Sequence, residues 1–249
     1  MAKKPTKTTS SASSSKKSSA RRKPSGSSMY IAIVVGVVLI GMVFAVGYSL
    51  ISAKDTTGKL GAVPRNTTDK YSMAVGNPDA KAKVVIYEDF QCPYCDEFEN
   101  AARDQLTQAA ADGKAYILYT PIAFLDRSST TNYSTRALNA FGVVLDSAGV
   151  QVADKFHNLL YENQPAEGSA GLTDDQLINY AVQAGADKVT VSNPIRSQAF
   201  LQWTVNATNA ASLANITGTP TIMVNGVQVQ GQTMADLVTQ TMAAISAAQ

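Results

Sequence analysis

Residues 90–95 read Phe90-Gln91-Cys92-Pro93-Tyr94-Cys95 and hold both cysteines of this 249-residue chain. The run before them, Val84-Val85-Ile86-Tyr87, is apolar and rich in strand-forming residues, which is typical of a fully buried central strand. The apolar residues after them recur every three or four positions, as in a helix packed on a core: Phe98, Ala101, Ala102, Leu106, Ala109 and Ala110. The cysteine pair is therefore predicted at a strand-to-helix junction.

This location gives the two cysteines different chemistry. At a helix N-terminus, unpaired backbone N–H groups and the helix dipole stabilise a thiolate over a thiol, so we expect Cys92 to have a lowered pKa and to act as the nucleophile. Pro93 suits the first helical turn because the N–H that it lacks would be unpaired there anyway. Cys95 lies one turn further in, and it is expected to be the less accessible, resolving thiol.

Two other interpretations of the pair are weaker. A zinc site needs four ligands, or three and a water, and beyond the pair the sequence offers only His157 and scattered carboxylates. A purely structural disulfide suits an exported protein, but so short a loop removes little entropy from the unfolded chain. We therefore expect a redox-active pair, with no metal site and no cofactor.

Further strand signals flank the junction. Ala115–Thr120 is predicted as a second strand that closes at Pro121, so that Val84–Thr120 forms a βαβ unit. Met73-Ala74-Val75 is predicted as a short edge strand before it. These elements indicate an α/β domain.

The second half of the chain is helical and then returns to strands. Helices are predicted near residues 133–147, 152–162, 173–184 and 194–213. Two short strands then flank Asn225-Gly226, the strongest short-range hairpin signal, and a closing helix is expected at 234–245. The predicted order is βαβ, a helical block and ββα.

The N-terminal residues predict a membrane anchor. Residues 1–28 contain eight Lys or Arg and no acid, and are predicted to be a disordered tail. Residues 29–51 carry no charge, and a helix of that length, at about 1.5 Å per residue, spans a ~30 Å hydrocarbon layer. The positive-inside rule places the tail in the cytoplasm and the rest of the chain outside. Residues 52–71 are predicted to be a linker, so the predicted domain covers residues 72–248.

A cleaved signal peptide is the alternative to this anchor. Its apolar core would be shorter, about 7 to 15 residues, although Ile51-Ser52-Ala53 offers a weak cleavage site. The chain after the tail has 13 basic and 19 acidic residues, a net charge of −6. We therefore expect the tail to set topology and contact anionic lipid, with the bilayer around residues 29–51 and no nucleic acid as a partner.

Three motifs together carry a family resemblance. Phe90-Gln91-Cys92-Pro93-Tyr94-Cys95, the upstream Gly76-Asn77-Pro78-Asp79-Ala80 and the later Gly218-Thr219-Pro220-Thr221 resemble the DsbA-like branch of the thioredoxin superfamily, and more narrowly its membrane-tethered Gram-positive members. The resemblance covers about residues 72–248. It implies a thioredoxin-like fold with a helical insertion at about 128–213, preceded by one transmembrane helix.

The resemblance also implies roles for individual residues. Pro220 is expected to be a cis-proline facing the cysteines, and Thr219 to offer backbone hydrogen bonds to a substrate segment. Pro93 and Tyr94 are expected to contact substrate beside Cys92. The alternative is a trans proline that merely opens a strand.

The proton acceptor for Cys95 is sought among the acids that precede the cysteine pair. Several thioredoxin-like proteins place a buried acid six residues before the first cysteine, and Ile86 occupies that position here. Glu88 and Asp89 follow on opposite faces if the strand continues, so one of them would point inward. We hypothesise that Glu88 accepts the proton of Cys95; the alternative is that both are solvated acids at a strand end.

The leading function is an extracytoplasmic oxidase that donates the Cys92–Cys95 disulfide to exported proteins with free thiols. By resemblance, a membrane protein of the DsbB or VKOR type would reoxidise it. A reductase or isomerase would use the same residues, and would be kept reduced in vivo. A surface binding module with incidental thiols is the third hypothesis, and it predicts that Cys92→Ser and Cys95→Ser leave activity intact.

Overall fold

The computed structural model describes residues 61–249. The predicted tail at 1–28, the predicted membrane span at 29–51 and residues 52–60 of the predicted linker lie outside the described residues. Within residues 61–249, no helix has both the length and the apolarity needed to cross a bilayer.

The described residues form one five-stranded sheet and a set of helices. The strands are β1 (Met73–Gly76), β2 (Ala82–Glu88), β3 (Ala115–Pro121), β4 (Thr221–Val224) and β5 (Val227–Gln228). The helices are α1 (Pro93–Ala111), α2 (Tyr133–Ala148), α3 (Val150–Glu162), α4 (Asp174–Ala184), α5 (Lys188–Arg196), α6 (Leu201–Leu213) and α7 (Met234–Ala247), with a 3₁₀ turn at Leu125–Ser128.

The sheet has the order β1-β3-β2-β4-β5, with β2 at its centre. β2 and β3 are parallel and joined through α1, which confirms the predicted βαβ unit, and the other pairs are antiparallel. β1 is an edge strand, as predicted. The β4–β5 hairpin turns at Asn225 and Gly226, whose φ angles of 50° and 81° are those that a tight hairpin turn requires.

Burial along β2 alternates rather than being continuous. Ala82, Val84 and Ile86 are completely buried, whereas Val85 and Tyr87 are only half-buried. The prediction of a fully buried strand was therefore wrong for one face, where a cavity of about 150 Å³ lies between the sheet and the small side chains of α6. The period of two places Glu88 on the buried face as well.

Helices α2 to α6 form the inserted helical block between β3 and β4, which confirms the predicted fold class of a thioredoxin-like α/β domain with a helical insertion. The single helix predicted at 194–213 was wrong: α5 begins at Lys188, contains Pro194 and ends before a break that precedes α6. Asn139, buried on α2, binds both sides of that break, because its amide donates to the Ile195 carbonyl (3.2 Å) and its oxygen accepts from the Phe200 N–H (2.8 Å). These bonds replace helical bonds that the break leaves unmade.

Residues 61–71 pack on this domain. Pro64 is buried, Arg65 pairs with Asp146 on α2 at 3.1 Å, and the indole N–H of Trp203 donates to the Lys70 carbonyl at 2.8 Å. The structured unit thus includes the last eleven residues of the stretch predicted as a linker.

Candidate redox site

Cys92 is the N-cap residue of α1, and Pro93 is the first residue of the helix. The Cys92 N–H donates to the Asp89 carbonyl at 2.9 Å, and the Cys92 carbonyl accepts from the N–H groups of Cys95 and Asp96. Both cysteines are free thiols, with Cys92 5% exposed and Cys95 1% exposed. The junction and the order of accessibility agree with the prediction.

The cis-proline loop lies against the same sulfur. The Thr219–Pro220 peptide bond is cis, which confirms the prediction. The sulfur of Cys92 lies 3.3 Å from the Thr219 carbonyl oxygen. Pro93 and Tyr94 are exposed and Thr219 and Pro220 are half-buried, so the structure brings the expected substrate-contacting residues to the outer side of Cys92.

The two thiols differ strongly in acidity. The Cys95 thiol donates a hydrogen bond to the sulfur of Cys92, and with the N–H groups of Cys95 and Tyr94 this lowers the pKa of Cys92 to about 6, although burial opposes the shift. Burial raises the pKa of Cys95 well above its ordinary value, and the hydrogen bond to Cys92 and the charge on Cys92 raise it further. Cys92 is therefore a thiolate at neutral pH while Cys95 keeps its proton.

Glu88 and Asp89 are both buried, with exposures of 1% and 0%. This excludes the alternative that they are solvated acids at a strand end. Asp89 accepts three hydrogen bonds, from the Gln91 and Leu125 N–H groups and the Ser134 hydroxyl, and burial nevertheless raises its pKa to about 6. Asp89 therefore holds the loop before Cys92 against the helical insertion.

Glu88 belongs to a buried cluster with His157 and Glu99. His157 Nε2 lies 2.7 Å from Glu88 Oε1, and both side chains are 1% exposed. Burial disfavours the imidazolium, but the charge and hydrogen bond of Glu88, together with the charges of Glu99 and Asp154, outweigh it and raise the pKa of His157 to about 9. Burial raises the pKa of Glu99 to about 8. Glu88 therefore favours a cationic His157, whereas burial favours the protonated form of Glu99.

The three side chains bring nitrogen and oxygen atoms within 4.8 Å of one another, which raises the question of a metal. Two ligands of a tetrahedral zinc with bonds of about 2.0 Å lie roughly 3.3 Å apart. The 2.7 Å between His157 Nε2 and Glu88 Oε1 is instead the distance of a charge-assisted hydrogen bond. The geometry is that of a proton-holding cluster.

Sequence reasoning missed three residues of this site. His157 lies in an apolar helix and carries no motif, and its partner Glu88 is 69 positions away. Glu99 follows Cys95 by four positions, a spacing that places both on the buried face of α1 and that offered a signal. Gln164, just after α3, donates to the Cys92 carbonyl at 2.9 Å, and nothing local indicated it.

Comparison with known families extends over most of the domain. A family model described as Thioredoxin matches residues 68–242. The crystal structure of reduced DsbA from Mycobacterium tuberculosis superposes with a TM-score of 0.55 and 29% identity, covering 74% of this chain and 97% of that one. A relative named "Probable disulfide bond formation protein D", from Bacillus cereus, is 24% identical and covers 81% of this chain and 90% of its own.

A third similarity involves a larger protein. Over an alignment of 154 residues, this chain is 33% identical to serine/threonine-protein kinase PknE of Mycobacterium tuberculosis. The match takes in 59% of this chain but only 27% of the kinase. The chain thus spans about a quarter of the length of that curated relative.

Proposed function

The chain belongs to the thioredoxin family and is a thiol-disulfide oxidoreductase, and from this premise we propose that it oxidises cysteine pairs of exported proteins with a disulfide between Cys92 and Cys95. One observation carries the proposal. The Cys92 sulfur lies at the N-terminus of α1 beside the Thr219–Pro220 bond, while Cys95 is enclosed behind it.

The oxidation proceeds by two thiol–disulfide exchanges. A substrate thiolate attacks Cys92 of the oxidised enzyme, the Cys92–Cys95 bond breaks, and Cys95 leaves as a thiolate that takes up a proton. A second substrate thiolate then attacks the substrate sulfur of the mixed disulfide, and Cys92 leaves as a thiolate. The substrate has gained a disulfide and the enzyme holds two reduced cysteines.

The acidity of Cys92 supports the oxidase direction over a reductase or isomerase. Because a thiolate at pKa about 6 is stable at neutral pH, the reduced enzyme is favoured and Cys92 is a good leaving group. An oxidant of this kind must itself be reoxidised. A membrane protein of the DsbB or VKOR type, acting on Cys92, fits that need.

The other site residues receive roles from their positions. Glu88 is the proton acceptor for Cys95 when Cys95 attacks, because it is buried and acts electrostatically on that thiol. The half-buried Thr219 and Pro220 and the exposed Pro93 and Tyr94 surround the approach to Cys92, and they are the substrate contacts.

We place the enzyme at the cell membrane with its N-terminus in the cytoplasm and its catalytic domain outside. Support comes from the charge-free stretch at 29–51 and the basic residues before it. In this arrangement residues 29–51 contact the bilayer, and exported thiol-containing proteins are the clients.

A trapping experiment tests the function. The full-length Cys95→Ser variant is expected to accumulate mixed disulfides with client proteins through Cys92, whereas Cys92→Ser and the double variant accumulate none. The wild-type enzyme is expected to oxidise a reduced, unfolded test protein, and both single variants to lose this activity. Equal activity of Cys92→Ser and wild type would refute the proposed oxidase and favour the surface binding module with incidental thiols.

A further inference from the structure

We propose that His157, in the helical insertion, is a positioning residue that holds Glu88 ionised beside the redox pair and thereby controls how readily Cys95 loses its proton. The inference rests on the proposed function and adds to it a residue that acts through Glu88. The observation behind it is the 2.7 Å contact between His157 Nε2 and Glu88 Oε1 inside a site closed to solvent.

The contact is enclosed by aromatic rings. The imidazole ring lies 4.7 to 6.2 Å from four ring centroids, those of Phe90, Tyr119, Phe141 and Tyr161. The π faces of such rings are electron-rich and attract a cation, and the rings together exclude water. His157 is therefore the cation that this enclosure brings to Glu88.

Glu88 has a second oxygen that is free to react. Its Oε2 is buried and has no hydrogen-bond partner, and both oxygens of Glu99 are in the same condition. Leaving a buried carboxylate oxygen unpartnered is costly, so such a group is expected to have a further task. Oε2 is the atom on which Glu88 holds a transferred proton.

Several other charged or titratable groups face the cluster from the elements around it. Asp89 lies before α1, Cys92 is its N-cap, and Glu99 and Arg103 lie on it. The others are Tyr119 on β3, and Asp154 and Tyr161 on α3. The titration of these groups also contributes to the pH dependence of Cys95 attack. Glu99 is the main alternative to Glu88 as the group that accepts the proton, because it lies in the same cluster.

Glu88 accepts one proton when the enzyme disulfide closes. When a disulfide-bonded partner has formed a mixed disulfide with Cys92, the Cys95 thiol passes its proton to Glu88, and the Cys95 thiolate attacks the Cys92 sulfur. The Cys92–Cys95 bond forms, the bond from Cys92 to the partner breaks, and the partner sulfur leaves with the electron pair. In the reverse direction Glu88 returns the proton to Cys95.

Removing the imidazolium changes Glu88 in a defined direction. A buried carboxylate without its cation is disfavoured and binds a proton more tightly, so it becomes an acceptor only at higher pH. His157→Gln is therefore expected to shift the pH profile of Cys95 attack upward by about one to three pH units. Glu88→Gln is expected to lower the rate of Cys95 attack about 100-fold. Its pH profile is expected to lack the step that the ionisation of Glu88 produces in the wild type.

The rate to measure is the closure of the enzyme disulfide. Reduced full-length protein is mixed with saturating oxidised glutathione, and the release of glutathione from Cys92 by Cys95 is followed from pH 4 to 10 by acid quenching and mass spectrometry. Matched controls are Lys155→Gln, an exposed cation on the same helix as His157, and Glu97→Gln, an exposed acid on the same helix as Glu99. Both controls are expected to retain the wild-type profile.

The outcomes separate this inference from the proposed function. The double variant of His157 and Glu88 is expected to match Glu88→Gln alone, since His157 acts through Glu88. A wild-type profile in His157→Gln overturns the inference, as does a profile in which Glu99→Gln and not Glu88→Gln removes the ionisation. Failure of wild type to form the mixed disulfide at Cys92 would instead refute the function.

A measurement on unmodified protein guards against misfolding of the variants. His157 is the one histidine in the chain, so its ¹⁵N-imidazole signals are unambiguous. Reduced wild-type protein is expected to show both ring nitrogens protonated at pH 7, and Glu88→Gln to show a neutral ring at that pH. A neutral ring in the wild type overturns the inference.

Discussion

The side-chain amide of Gln164 donates a 2.9 Å hydrogen bond to the carbonyl oxygen of Cys92. Gln164 follows α3, so the helical insertion contacts the backbone of the nucleophile directly. The same carbonyl also accepts from the Cys95 and Asp96 N–H groups, which start α1. The insertion therefore stabilises the first turn of the helix that activates Cys92.

Replacing Gln164 by Ala is expected to lower the free energy of unfolding by about 1 kcal/mol, the contribution of one partly buried hydrogen bond. Urea unfolding followed by the fluorescence of Trp203 measures this. Gln151→Ala, an exposed site on α3, should unfold like wild type. Equal stability of the two variants would show that the bond contributes nothing.

The stability of the reduced enzyme should depend on pH through Cys92. Its folded-state pKa is lowered to about 6, so the stabilisation is complete above the unfolded value near 8.5 and disappears as the pH falls through 6. We expect the free energy of unfolding to rise by about 3 kcal/mol across that window in the reduced protein. Neither the oxidised protein nor Cys92→Ala should show this rise; if both do, another group is responsible.

Glu99→Gln should stabilise the protein at pH 7. Because burial raises the pKa of Glu99 to about 8, folding favours its protonated form, and stability is lost as pH rises from about 4.3 towards 8. The amide avoids that loss, so we expect a gain of about 1 to 3 kcal/mol at pH 7 and none at pH 4. Calorimetry at the two pH values tests this, with Glu97→Gln unchanged at both. Destabilisation at pH 7 would mean that the carboxylate is the favoured form.

A chain starting at residue 72 should be less stable than one starting at residue 61. The shorter chain loses the Lys70 carbonyl that accepts from the Trp203 indole, as well as the Arg65–Asp146 pair. An unpartnered buried donor and the lost packing are expected to cost about 2 kcal/mol or more. Thermal unfolding measures the melting temperatures of the two chains. Identical melting temperatures would show that residues 61–71 do not stabilise the domain and behave as a linker.

Much of the fold was predictable because its signals are local. The Asn225-Gly226 turn, the apolar, strand-forming run of β2 and the three-to-four spacing after Cys95 each report backbone geometry within a few residues. The location of both thiols at the start of α1 followed from the same patterns. The cis bond at Pro220 came from the resemblance of its motif and was confirmed.

The parts that escaped prediction depend on distant partners. The bond between Glu88 and His157 joins residues 69 apart, and each residue on its own resembles an ordinary strand-end acid or a packed histidine. Likewise the break between α5 and α6 is stabilised by Asn139, more than 50 positions earlier. Local periodicity carries no information about such pairs, since the residue that satisfies a buried group lies on another element.

The double hydrogen bond of Asn139 ties three helices together, because one amide on α2 bridges the end of α5 and the start of α6. Local opening of any one of these helices strips a buried amide of its partners. The backbone amide protons of these three helices should consequently exchange with deuterium at a common, slow rate, because the helices open as one cooperative unit.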